Sequence, residues 1–215
     1  IPNETLRDLQ ENFHQEFNSD ILKFIPENNI LVLSAAVNAN AFLDYAEEYP
    51  AMEKVIQEAE REMYNSIGLG FDDLFNTFGG SFVANISQFG EIYRTTTDWD
   101  YRLNRIITKD TTMTVPLFSI VFDVEDRTFL DKMIQLWQET GDISYNQGYY
   151  NFVNAEQDEM FMALDNNIFV ITNNQESAEE FIEGGYMNNL ASSHVSENVL
   201  YLYLDLDMNT YYNAI

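Results

Sequence analysis

Apolar and polar residues alternate along this chain with two different periods, and each period predicts its own elements. Leu6, Leu9, Phe13 and Phe17 recur at helical spacing after Asn3, and the turn SDILKFI follows, ending before Pro26. NILVLSAAV, residues 29–37, has the length and branched content of a buried strand. Asn38 or Asn40 can then cap a helix carrying Phe42, Tyr45, Ala46 and Tyr49. Pro50 restarts the helical pattern, whose apolar stripe is Met52, Val55, Ile56, Ala59 and Met63.

In IGLGFDDLFNTFGG, residues 67–80, the residues Phe71, Leu74, Phe75 and Phe78 fall on one helical face, with two acids in the first turn. Gly79 is expected to stop this helix in a left-handed conformation, with a positive φ at Gly79 or Gly80. A phosphate loop would need strand, glycines, helix and usually a Lys; here the order is helix, glycines, strand, so the glycines read as structural. SFVANISQF then alternates as a strand. Residues 90–114, rich in Thr, Asp and Arg, read as strands or an irregular excursion.

TVPLFSIVFDV is a strand with Phe118, Ile120, Phe122 and Val124 on one face; Pro116 suggests an edge or entry position. EDRTFLDKMIQLWQETG is a helix, read with Phe129, Met133, Leu136 and Trp137 inward and Gly141 as its stop. GYYNFVN, EMFMALD and NIFVITN are short strands, the last two joined by an Asn166-Asn167 turn, and QESAEEFIEGG is a glycine-ended helix. These elements predict an α+β fold, with a largely antiparallel sheet and helices packed on one side.

Residues 196–215 repeat the order of residues 26–46. With Asn29 skipped, Ile30-Leu31 meets Val199-Leu200, Leu33 meets Leu202, Val37 meets Leu206, and Asn38 meets Asp207. This reading makes 1–195 one α+β module and 196–215 the first strand and helix start of a truncated second repeat. The opening at Ile1-Pro2, without Met or leader, fits a processed or trimmed piece.

Composition narrows the functions. With 46% hydrophobic residues the chain can fold around a core, and its longest apolar runs are too short for a membrane span. The charge is −26, from 36 acids against 10 bases, with no Lys/Arg cluster to meet a phosphate backbone. Nucleic acid is therefore not an expected partner. Cysteine is absent, which removes disulfides and thiol chemistry.

His14 and His194 lie far apart and form no metal-binding or triad motif. Acidic pairs such as Glu47-Glu48, Asp72-Asp73, Asp98 with Asp100, and Glu179-Glu180 read mainly as solvated faces. Asp205, Asp207 and Asn209 have the odd-position spacing of a calcium loop. Thr210, however, stands where that loop needs Gly, and a strand competes for the same residues. The adjacent pairs Tyr149-Tyr150 and Tyr211-Tyr212 would each turn one ring away from the core on a strand, offering contacts for a partner or glycan. No catalytic residue and no cofactor is expected.

The segments LKFIPENNILVLSAAVNANAFLDY, IGLGFDDLFNTFGGSFVANISQF, TVPLFSIVFDVEDRTFLDKMIQLW and MALDNNIFVITNN together resemble the uncharacterised Bacteroides-type cell-envelope lipoproteins. The resemblance runs over most of residues 20–206 and rests on apolar pattern and glycine placement. It implies an address in the envelope, periplasmic or outer-surface, with a lipid-bearing cysteine upstream of Ile1. It supplies no catalytic residue. The leading expectation is a non-enzymatic envelope domain that binds a partner protein or surface glycan. A carboxylate-dependent, glycan-directed hydrolase and an acidic cation-binding module are the alternatives.

Overall fold

A computed structural model describes residues 15–38, 40–41, 45, 49–153, 158–190 and 200–204. The strands are β1 (Leu31–Ala36), β2 (Phe78–Asp100), β3 (Arg105–Val124), β4 (Ile143–Asn146), β5 (Tyr149–Val153), β6 (Glu159–Asp165), β7 (Ile168–Thr172) and β8 (Leu200–Leu204). They form one antiparallel sheet in the order β4-β5-β6-β7-β3-β2-β1-β8. Helices with described bounds are a 3-10 turn (Ser19–Phe24), α1 (Pro50–Ile67), α2 (Phe71–Thr77), α3 (Thr128–Thr140) and α4 (Gln175–Ile182). The α+β fold with an antiparallel sheet is as the sequence predicts.

Its helices do not share one side. β6 and β7 are apolar at successive positions, so strand alternation sends apolar groups to both faces. On one face Val32, Val83, Val121, Phe161 and Val170 pack with Ile21, Leu22 and Phe24 of the 3-10 turn and with Ala178 and Phe181 of α4. Phe24 and Phe181 meet at 4.5 Å between ring centroids. On the opposite face Met162, Phe169 and Val124 pack with Leu130 and Ile134 of α3. The fully buried stripe of α3 is thus Leu130 and Ile134; Phe129, Met133 and Trp137 stand on its half-covered flank.

Most element ends follow the local chemistry. Pro50 opens α1, and Gly68 closes it with φ 76°. Asn38 Oδ1 accepts from the Ala41 amide at 3.2 Å, the expected cap. Gly141 stops α3 with φ 79°, and Asn166, φ 50°, turns β6 into β7. Residues 31–36 and 200–204 are both strands, paired with each other so that Leu33 faces Leu202. The helix expected after Asp207 lies outside the described residues, as does most of the one expected from Asn3 to Phe17; its described end, residues 15–17, is not helical.

Gly79 and Gly80 have a different role from the one read in the sequence. The positive φ expected at Gly79 or Gly80 is found at Gly80, 85°, but not as a helix stop: α2 ends at Thr77, and Phe78 is already extended. The glycines instead lie in β2, where its register with β3 shifts between Phe78 and Phe82. A Cβ on Gly79 would stand 2.6 Å from Asp123 Oδ2. On Gly80, where φ is 85°, it would stand 2.7 Å from the Val37 carbonyl oxygen. The main chain cannot yield as a side chain can. Gly80→Ala should therefore cost about 2–4 kcal/mol, from the left-handed penalty plus overlap. Gly68→Ala, which meets open space, should cost only about 1–2 kcal/mol. Paired urea titrations would compare the two.

Candidate functional site

Beyond Ile86 and Phe118, among the described residues β2 and β3 pair only with each other, through thirteen register pairs from Gln88/Leu117 to Asp100/Arg105. At about 3.3 Å per residue the ribbon is roughly 40 Å long. Its base leans on the body where Ile92 and Val115 approach Phe161 and Asn173. Asn173 also holds the entry to the ribbon: its Oδ1 accepts from the Phe118 amide, and its Nδ2 donates to the Pro116 carbonyl. Pro116 is tolerated because β7 begins to pair only at Ser119.

Seven threonines between positions 88 and 117 supply β-branched residues that suit a strand with neither face buried. The tip is a four-residue turn, Tyr101 to Asn104. Asp100 Oδ1 accepts from the amides of Arg102 and Leu103 at 2.8 and 3.1 Å, and Asn104 has φ 48°. Across the ribbon, Thr95 Oγ1 donates to Asp110 Oδ1, its register partner, at 2.9 Å.

This arm differs in charge and polarity from the body that carries it. Residues 88–117 hold four of the ten basic residues but only four of the 36 acids, so the arm is formally neutral on a chain of −26. Its end presents Trp99, Tyr101, Leu103 and Ile106 to solvent, Tyr101 being 88% exposed. The body keeps the whole charge imbalance, and its ion pairs Lys54–Glu58 and Arg127–Asp131 are exposed contacts of little weight. Raising sodium chloride from about 20 mM to 200 mM, which shortens the screening length from roughly 20 to 7 Å, should raise the melting temperature. An unchanged or falling midpoint would contradict uncompensated repulsion.

The tyrosines are placed differently from expectation. Tyr149 is 3% exposed and packs edge-on against Phe161, 5.7 Å between centroids, so it belongs to the core and offers no ring to a ligand. Alternation does send Tyr149 and Tyr150 to opposite faces, but the helices cover both. Tyr150 is half-buried beside Tyr145 at 5.0 Å, and it is Tyr145 that stands out, at 61% exposure. Desolvation and the neighbouring Tyr145 hold the Tyr150 phenol above its ordinary range. Tyr211 and Tyr212, the calcium candidates Asp205, Asp207 and Asn209, and both histidines lie outside the described residues. Among the described residues no group of three or more His, Asp or Glu is placed to hold a metal.

The acidic pairs serve local structure where hydrogen bonds define them. Asp73 Oδ2 accepts from the Gly70 amide at 2.7 Å, opening α2, and Asp100 builds the arm's turn. Two described carboxylates are shifted: the exposed Asp126 is held low by hydrogen bonds from the Thr128 hydroxyl and amide, and Asp123 is raised. Burial holds its carboxyl above the ordinary 3.8, opposed by a hydrogen bond from Asn18 and assisted by Glu125 and Asp20. The folded protein therefore holds this proton more tightly than the unfolded chain, and ionised Asp123 costs stability once pH rises through the folded pKa. Asp123→Asn can keep the Asn18 bond. It should be more stable than the parent at pH 7, with the difference vanishing below the unfolded value of 3.8. Melting curves of both proteins across that range would show it.

No helix among the described residues is long and apolar enough to cross a membrane. Comparison of the chain with protein-family models, with curated proteins and with solved structures found no match.

Proposed function

We propose that this chain is a non-enzymatic binding domain of the cell envelope that engages a partner protein through the β2–β3 arm. The observation that carries the reading is the arm's exposed apolar end on a formally neutral ribbon. A two-stranded ribbon is marginal in water by itself, and large apolar groups at its tip gain most when another surface covers them. Neutrality matters for the same reason, since the arm can approach an acidic partner that the −26 body would repel. The envelope address rests on the family resemblance of residues 20–206, and fractionation of the native cells tests it separately.

The direct test replaces residues 89–116 by Asn-Gly, a two-residue connector suited to joining antiparallel strands. The armless protein should lose the partner that co-purifies with the intact protein from its native envelope. Retention of that partner would place the contact elsewhere. A glycan contact keeps one specific observation in its favour, the adjacent Tyr145 and Tyr150 rings. Loss of glycan-array signal in Tyr145→Ala, with the fold intact, would favour it.

A further inference from the structure

α3 packs on the sheet through only part of its apolar face. Leu130 and Ile134 reach down to it, while Phe129, Met133 and Trp137, four residues apart, form a row along the flank of the helix. Between that row and the sheet residues Phe152, Met162 and Phe169 lies an open cavity of about 600 Å³. This is within the range of small-molecule sites. Eleven of its twelve lining residues are apolar, and the twelfth is Asp142. Water gains little in such a space, whereas an apolar body would be held by rings and by two adaptable methionines.

The lip sets the charge. Asp142 directly follows Gly141, the left-handed residue that ends α3, and its amide donates to the Trp137 carbonyl at 2.9 Å. Its carboxylate accepts from the Thr140 hydroxyl, which fixes it at the C-terminal, negative end of the helix. Among the described residues, no Lys, Arg or His lines the cavity. A fatty acid or other anionic amphiphile would therefore bring its head to a carboxylate and a helix C-terminus, with no cation to meet it.

We propose that this cavity binds a monocationic apolar small molecule, with its rings or short chain against Trp137, Met162 and Phe169 and its ammonium at Asp142. The site is separate from the arm and independent of the partner reading, so either can fail alone.

The test uses the intact chain and three naphthalene probes of matched size: 1-naphthylmethylamine, 1-methylnaphthalene and 1-naphthylacetate. Isothermal titration calorimetry reads binding in the parent and in each variant. The amine should bind saturably, about fivefold more tightly than the neutral probe, with the carboxylate weakest. Asp142→Lys, a change at the exposed lip, should invert the order of amine and carboxylate. Met133→Trp, which fills part of the cavity where the probe rings would lie, should weaken all three several-fold while the melting temperature holds. The proposal is overturned if none of the probes saturates below about 1 mM, a Kd worth only about 4 kcal/mol. It is equally overturned if the carboxylate binds the parent as tightly as the amine, or if Asp142→Lys leaves the order unchanged. A filled variant that melts like the parent yet keeps its affinity would do the same. If Met133→Trp does not fold, the inversion in Asp142→Lys decides.

Discussion

Phe181→Ala should destabilise the protein by about 3–5 kcal/mol, a large share of the total stability of a domain. Phe181 is 1% exposed and lies where α4 meets the 3-10 turn over the sheet. Its ring contacts Phe24 at 4.5 Å, and Phe24 is itself buried. Truncation would remove the ring's transfer energy and leave a void bounded by two separate elements and the sheet. The backbone has little freedom to close that void, because the Tyr186 amide donates to Lys23 and the Leu190 amide to Ile25, tying the chain after α4 to the turn. Urea titration gives the loss directly. A cost under about 1 kcal/mol would mean that this face of the sheet is not the packed core described above.

Removal of the arm should have the opposite signature: little change in stability and complete loss of partner binding. The body's pairing ends at Leu31↔Ile86 on one side and Ser119↔Thr172 on the other, so replacement of residues 89–116 leaves both ladders whole. The bond from Asn173 to the Pro116 carbonyl is lost, but it is exposed and worth about 1 kcal/mol or less. The half-buried Ile92 and Val115, which line a small cavity together with Phe161, are the other loss. The melting temperature should therefore move by only a few degrees. A collapse of the fold would make the arm a structural element and remove the reason for its exposed tip.

The parts legible in the sequence are those where burial is one-sided or complete. β1 and β7 are short branched apolar runs, and α3 carries both its apolar spacing and the glycine that ends it. β4 was not legible, because ISYN contributes a single buried residue, Ile143. The arm showed no apolar alternation because neither of its faces packs on a core; its threonines were the available signal. The Gly79-Gly80 pair pointed to a conformational need but not to its cause, which is the approach of Asp123 and Val37 from strands distant in sequence. Tyr149 failed as an exposed ring for a similar reason: alternation fixes which face a residue takes, and only tertiary packing decides whether that face is covered. The cavity depends on how far α3 stands from the sheet, a distance that no spacing of residues encodes.

The central claim is that the arm's tip is where a partner protein sits. The most direct measurement places a photoactivatable phenylalanine analogue at Tyr101, and separately at Asn166 in the β6–β7 turn, in the protein expressed in its native cells. Illumination should give a discrete covalent adduct with one partner protein from position 101 and none from position 166. No adduct from Tyr101, or the same adduct from both positions, would contradict the account.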